Sequence, residues 1–268
     1  MSPRRRLDVH LVEEGCFPSR ERARAAVLAG CVRVDGETEY KPGRQVAEAS
    51  HVIVSSDSLA YVSRGALKIE AALERLSVDV KGKVCLDVGA STGGFTQVLL
   101  DRGAALVYAV DVGYGQLAYK LRQDPRVVVM ERTNARYLNP GDFPYPPSIA
   151  TMDVSFISAA KVLPAIMAVT TQGAEVLLLV KPQFEVERGG SKKGVVRDPQ
   201  VHLEVLAKLE HQAQTLGLFL AGAVVSPILG PKGNIEFWFH LVKGFPGREV
   251  NLENMVNQAH DALRGGGT

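Results

Sequence analysis

A strong charge of either sign is missing from this 268-residue chain: 31 Lys and Arg stand against 29 Asp and Glu, a formal net charge of +2. Bulk charge therefore points to no partner. Cysteine is scarce, with three residues at positions 16, 31 and 85. The odd count and the spacing match no zinc pattern, so no metal is expected. Cys85 lies in the apolar run Val84–Val88 and reads as a buried strand residue, and the expected setting is reducing and cytoplasmic. No apolar run approaches the roughly 18 residues that a membrane span requires, so stable membrane association is not expected. After Met1–Arg6 the chain moves straight to Leu7-Asp8-Val9-His10, without the apolar core of a signal peptide. What is present is ordinary globular material. Hydrophobic residues make up 46%, enough for a large core. At roughly 100–200 residues per domain the length is comfortable for two.

Charge is clustered even where it balances. Residues 1–60 hold nine Lys/Arg and nine Asp/Glu, yet Arg4, Arg5 and Arg6 are consecutive and Arg20, Arg22 and Arg24 alternate. A basic stripe does not need a basic total. Leu7, Leu11 and Val12 share one side of a short helix that Gly15 can end. Ser19 can cap a second helix, Arg20–Ala29, closed by Gly30 and striped by Ala23, Ala26 and Val27. Arg20 and Arg24 are four apart and share a face that can meet phosphates. A strand at Cys31–Val34, turns at Asp35-Gly36 and Lys41-Pro42-Gly43, and a strand at Val52–Val54 follow. This order resembles the S4 RNA-binding domain, through Arg5-Arg6-Leu7-Asp8, Ser19-Arg20-Glu21-Arg22-Ala23 and Gly30–Gly36. The resemblance implies a small α+β domain over residues 1–57 that turns Arg4, Arg5, Arg6, Arg20 and Arg24 toward folded RNA. From charge alone, a solvated helix face is the competing reading.

Residues 58–65 read as a linker, and a second domain is expected over 66–268. After the helix Ala66–Leu76, strands are expected at Val84–Val88, Val107–Asp111, Val127–Met130, Ile149–Asp153, Glu175–Lys181, Phe219–Ser226 and Ile235–Leu241. Helices are expected at Gly93–Arg102, Gln116–Arg122, Ala159–Ala168, Pro199–Leu216 and Asn251–Leu263. Such alternation makes an α/β fold whose seven-stranded, mostly parallel sheet is covered on both faces. The last two strands, joined only by the turn Pro227–Gly233, should form an antiparallel hairpin at its end.

The stretch from Val84 to Thr96 is a strand, a glycine-rich turn and a helix start. Glycine permits the tight turn and lets a ligand approach the backbone. Asp111 stands 22 residues after Gly89, at the end of the next strand, where an acid can accept from both hydroxyls of an adenosine ribose. Ser91 occupies the place of the middle glycine of a dinucleotide fingerprint, which argues against a pyrophosphate on the turn. Asp87-x-Gly89 with Gly93-Gly94 instead resembles the first motif of the Rossmann-like class I methyltransferases. That resemblance implies S-adenosylmethionine as cofactor, held by Asp87, Gly89, Ser91, Thr92, Gly93, Gly94, Phe95 and Asp111. Asn134, after the third strand, is the expected adenine contact.

Four charged residues occupy comparable topological places: Lys68 on the helix before the first strand, Asp153 and Lys181 at the ends of the fourth and fifth, and Glu236 at the start of the last. Ligands of open α/β sheets bind beyond the carboxyl ends of the strands, so the four can converge. They resemble the Lys-Asp-Lys-Glu tetrad of FtsJ-type ribose 2′-O-methyltransferases. A ribose hydroxyl is a poor nucleophile and needs a base or a strong electrostatic partner. The expected roles are Lys181 as that base, Asp153 and Glu236 as orienting acids, and Lys68 as a tuning cation. Each charge alone is more simply a solvated strand end.

An S4 domain ahead of an FtsJ-type domain resembles the TlyA family, whose members are also called haemolysins. The match spans about residues 5 to 243 and includes Ser63–Lys68, Asp153–Ser158, Lys181–Glu185, Gly194–Asp198 and Gly230–Glu236. It implies methylation of cytidine 2′-hydroxyls in 16S and/or 23S ribosomal RNA, with ribosomal subunits as partners. The linker tryptophan of some members is absent, since Trp238 is the single Trp. The basic loop after Lys181 offers Lys192 and Lys193 to an RNA backbone. Two other readings compete: a membrane-active haemolysin, and an RNA-binding assembly factor without catalysis.

Overall fold

Apolar alternation builds the first core. The computed structural model describes residues 4–17, 19–28, 31–39, 41–48, 50–54, 61–186 and 194–265. Strand β1 (Arg4–Arg6) runs into helix α1 (Leu7–Glu13), and α2 (Arg20–Leu28) follows. Next come β2 (Val32–Val34), β3 (Glu37–Glu39), β4 (Gln45–Ala47) and β5 (Val52–Val54). In β2 the buried Val32 and Val34 flank the exposed Arg33, the period-2 pattern of a half-buried strand. They close a core with Leu7, Leu11, Ala23 and Val27. β2 lies between β3 and β5, while β1 pairs antiparallel with β4. β1, β3 and β4 were absent from the sequence reading. Each has three residues, too few to show a period, and β1 is a run of arginines that tertiary pairing holds extended.

The second core is built on a longer sheet. Its elements are α3 (Gly65–Arg75), β6 (Val84–Val88), α4 (Gly94–Asp101), β7 (Leu106–Val110), α5 (Tyr119–Arg122), β8 (Val127–Met130), β9 (Ile149–Met152), α6 (Leu163–Val169), β10 (Glu175–Val180), α7 (Pro182–Glu185), α8 (Pro199–Thr215), β11 (Leu218–Val225), β12 (Phe237–Lys243) and α9 (Leu252–Gly265). The seven strands lie in the order β11-β12-β10-β9-β6-β7-β8. β6 to β10 are mutually parallel, and β12 runs antiparallel between β10 and β11. The order reverses between β6 and β9, so a crevice opens beyond their carboxyl ends.

Three boundaries differ from the sequence reading for physical reasons. Residues 58–60 of the expected linker lie outside the described residues, and the helix begins already at Gly65. Tyr61 and Val62 pack on the second core, with the Val62 N–H donating to Gln97 Oε1 at 2.9 Å. The helix expected over Ala159–Ala168 is a 3-10 turn, Ala159–Lys161, followed by α6, because Pro164 lacks an N–H and fits only a first helical turn. The helix expected from Gln116 begins at Tyr119. Among the described residues no helix is long and apolar enough to cross a membrane.

α8 and α9 are joined by a histidine pair whose α8 member, His202, is buried. His202 Nδ1 and His260 Nε2 lie 2.9 Å apart, and the His202 ring packs edge-on against Phe237. Burial, reinforced by His260, pushes His202 down to about 4. Unfolded histidine titrates near 6.5, so below that pH the unfolded chain takes up a proton that the folded chain refuses. The contribution of this group to stability is therefore whole above pH 6.5 and is lost as pH drops toward 4. Asp87, pushed up to about 6 by burial, works in the opposite sense, favouring the fold at low pH and losing that contribution as pH rises through 6. Chemical denaturation across this range should show a shallower acid loss in His202→Gln than in the wild type. Equal slopes would remove the histidine from the account.

Candidate active site

The glycine turn sits at the crevice. β6 ends at Val88, and Gly89, Ser91 and Gly93 then adopt φ values of 85°, 49° and 95°. These left-handed conformations suit glycine and strain Ser91. A Cβ on Gly89 would collide with the Asp153 carbonyl oxygen, so the turn and the end of β9 touch through backbone. Asp111, just past β7, accepts from the Ser91 N–H at 2.8 Å and the Gly113 N–H at 2.7 Å. One carboxylate thus ties the turn to the next loop.

Two of the residues expected to hold the cofactor lie behind the turn instead. Asp87 is fully buried, with Thr96 donating to Oδ2 at 2.6 Å and Thr151 to Oδ1 at 3.1 Å. It braces β6 against α4 and β9 and has no free face. The Phe95 ring is buried 5.5 Å from the Trp238 ring. Thr92 accepts from the Ala118 N–H through its carbonyl, and Gly94 packs against Ser63 and the Ala66 N–H. Asn134 is exposed, and its side-chain oxygen accepts from the Arg136 N–H at 3.1 Å, capping a short 3-10 turn.

The tetrad converges as two ion pairs. Lys68 Nζ meets Glu236 Oε2 at 2.5 Å, with both side chains buried. Lys181 Nζ pairs with Asp153 Oδ1. The pairing Val180↔Phe237 sets Lys181 and Glu236 one step beyond the last paired residues of β10 and β12. Burial pushes the Asp153 carboxyl up, but the charges of Lys181 and Lys68 outweigh it and hold the group below its ordinary value. Lys68 therefore acts on both acids. Among the described residues Glu236 Oε1 is buried without a hydrogen-bond partner, and a Cβ on Gly230 would collide with it.

Three further residues support the site. Ser155 Oγ accepts from Lys181 Nζ at 2.9 Å, giving that amine a second fixed partner. Asn234 is buried, accepts from the Val196 N–H at 3.1 Å, and donates to the Gly194 and Pro231 carbonyls at 3.1 and 3.0 Å. It locks the turn before Glu236 to the segment entering α8. Glu131 accepts from the Gly115 and Gln116 N–H groups at 3.0 and 3.2 Å and pairs with Arg122, which fixes the loop after Asp111 and delays α5. The Gly115 N–H is the foremost cause holding the Glu131 carboxyl low. Ser155 and Asn234 stood inside recognised stretches, but partners distant in sequence define their roles.

The FtsJ-like methyltransferase family matches residues 61–243, and the S4 domain matches residues 5–52. Over 268 residues the chain is 46% identical to the 16S/23S rRNA (cytidine-2′-O)-methyltransferase TlyA of Mycobacterium tuberculosis (strain ATCC 25618 / H37Rv), covering 99% of this chain and 100% of that protein. This chain belongs to the TlyA family. The family also includes proteins with another name: Hemolysin A of Brachyspira hyodysenteriae is 41% identical, covering 88% of this chain and 99% of that protein. A solved structure described as a hemolysin, from Streptococcus thermophilus, matches with a TM-score of 0.79 at 42% identity, covering 99% of each chain.

In this TlyA-family chain three of the five arginines of the S4 domain expected to meet RNA are paired with acids. Arg5 meets Glu13 at 2.7 Å on the surface, and Arg6 and Arg20 both meet Asp8. Arg4 and Arg24 are exposed, while Lys192 and Lys193 lie outside the described residues. Among the described residues no His, Cys, Asp and Glu group of three or more is arranged to hold a metal.

Gly89→Ala tests the contact between turn and tetrad. It adds a Cβ at φ 85° against the Asp153 carbonyl, so both strain and collision oppose it. Melting temperature should fall, and methyl transfer should drop at least tenfold in protein that remains folded. Unchanged activity would mean that the turn and Asp153 are not coupled.

Proposed function

We propose that this protein transfers a methyl group from S-adenosylmethionine to the 2′-hydroxyl of a cytidine ribose in 16S or 23S ribosomal RNA, in the cytoplasm. The carrying observation is the pair of buried lysine–carboxylate contacts beside the glycine turn. The family membership and the S4 domain support the substrate class.

The turn fits the cofactor. Glycine at 89 and 93 lets the turn close against the Asp153 carbonyl and against Leu117 and Leu121, and Asp111 remains partly exposed beside it. Asp111 would hold the ribose hydroxyls, backbone from Ser91 to Gly94 the methionine part, and the side-chain NH₂ of Asn134 the adenine. When bound, S-adenosylmethionine supplies an electrophilic methyl group on a sulfonium.

The chain does the rest. Lys181 would first release one ammonium proton to solvent and, as the neutral amine, accept the hydrogen of the 2′-hydroxyl as the oxygen takes the methyl group. Asp153 and Ser155 fix that amine from two sides, leaving its third direction for the ribose. Lys68, anchored on Glu236, balances the charge of Asp153. Holding the hydroxyl in line is itself a large part of the acceleration. The Phe156 ring is 92% exposed at a left-handed φ of 64° and rests 5.0 Å from the Phe184 ring. An exposed ring two residues past Ser155's neighbour Val154 gives an unpaired base a face to stack on, worth about 1–3 kcal/mol.

Methyl transfer to isolated ribosomal subunits, with calorimetry for the cofactor, tests this. Lys181→Ala should abolish transfer and leave S-adenosylmethionine binding intact; a fully active variant would refute the assignment. Phe156→Ala should weaken use of the RNA substrate about tenfold at unchanged cofactor affinity, and equal kcat/KM for RNA would remove the stacking role.

A further inference from the structure

In the N-terminal domain a single carboxylate holds two guanidinium groups. Asp8, on α1, is fully buried. It accepts from Arg6 Nε at 3.0 Å, from Arg6 Nη2 at 2.9 Å and from Arg20 Nη2 at 3.2 Å. Arg6 closes β1 and Arg20 opens α2, so the acid gathers cations from two elements. The Arg6 and Arg20 side chains nevertheless remain 45% and 51% exposed. Each guanidinium has five N–H donors, and Asp8 takes only the inward ones. Two cations on one anion leave a net positive charge on the solvent side.

The surroundings hold this arrangement rigidly. The Asp8 N–H donates to the Pro42 carbonyl at 3.0 Å, and a Cβ on Gly43 would stand only 3.1 Å from Arg6 Nη1. The turn after β3 thus backs closely onto the Arg6 fork. The hydrogen bond from Arg6 keeps the Asp8 carboxyl down to about 2 against the effect of burial, with Arg20 assisting. The acid stays charged at every pH where the protein works. A buried carboxylate stripped of its partners is strongly destabilising, so the arginines are pinned and lose little freedom when an anion arrives. The Arg5–Glu13 pair is the contrast: its side chains are both near half exposed, and such pairs contribute little.

We propose that Asp8 is a positioning residue that aligns Arg6 and Arg20 as one two-armed clamp for a single phosphate of the RNA backbone. Guanidinium forks match phosphate geometry, and two set side by side address one phosphodiester from two directions. The proposal rests on the reading of this protein as an enzyme of ribosomal RNA.

The clamp makes a prediction that bulk electrostatics reverses. Asp8→Asn removes a negative charge from an RNA-facing surface, which by charge alone strengthens binding. With the clamp, it should weaken binding of the full-length protein to isolated ribosomal subunits about tenfold and flatten the dependence of log K on log salt. Glu13→Gln removes the same charge beside Arg5 and should bind as well as the wild type or better. Circular dichroism and melting establish that each variant is folded. Arg20→Gln, at an exposed position, should lose binding similarly, and the double variant Asp8→Asn/Arg20→Gln should lose less than the sum. A folded Asp8→Asn protein that binds as tightly as the wild type, or strictly additive losses, would overturn the clamp. Wild-type protein that does not bind subunits would overturn the functional reading itself.

Discussion

Two ammonium groups and two carboxylates sit largely out of water at one edge of the sheet, and the rest of the methyltransferase domain is arranged around that fact. Taking one such ion from water costs several kcal/mol even after relaxation, and an ion left without its partner costs most. Lys68 needs Glu236, and Lys181 needs Asp153. The requirement extends outward: Glu236 needs the turn that Asn234 locks, and Asp153 needs the backbone of Gly89 beside it. Few positions near these four are free to change alone. The same desolvation makes the charges effective, because a lysine held between an acid and a hydroxyl does not reorganise as the reaction proceeds.

The sheet explains how residues so far apart in sequence meet. Parallel strands deliver their carboxyl ends to one edge, which places Asp111, Asp153 and Lys181 there. An antiparallel β12 must begin where β10 ends, and that puts Glu236 beside Lys181. α3 precedes the first strand of the sheet, and Lys68 lies on its buried side. The glycine turn follows β6, at the reversal of strand order. Donor and acceptor ends of the proposed reaction thus share one backbone contact, and neither can shift without the other.

Much of this was legible in the sequence, and the reason is periodicity. Apolar strands such as Ile149–Met152 and Glu175–Val180 are followed at once by a charge, and buried parallel strands leave few other ways to place one. The ends of β9 and β10 and the hairpin of β11 and β12 could therefore be read directly, whereas the choice of the four charged residues came from the resemblance to the FtsJ-type tetrad. What escaped has a common cause. Ser155 and Glu131 matter through hydrogen bonds to residues 26 and 16 or fewer positions away, across turns that no repeat describes. Asp87 and Phe95 fell in the right motif but face inward, since a motif gives the position of a residue and not the side of the loop it occupies. The three-residue strands β1, β3 and β4 are shorter than any period can reveal.

The low net charge becomes intelligible at the level of individual groups. A protein that meets RNA needs cations at chosen points, and a uniformly basic surface binds wherever phosphate is available. In the N-terminal domain acids stand beside most of the arginines expected to meet RNA: Asp8 beside Arg6 and Arg20, Glu13 beside Arg5. Acids so placed lower the total charge while fixing where each guanidinium points. Binding then depends more on geometry than on charge count, and geometry is what the reaction centre also requires. Lys181 must meet one hydroxyl among many equivalent riboses, and no side chain of the tetrad distinguishes them. Selection of the site therefore falls to contacts remote from the chemistry, which in the proposed clamp the placement of a few arginines would supply.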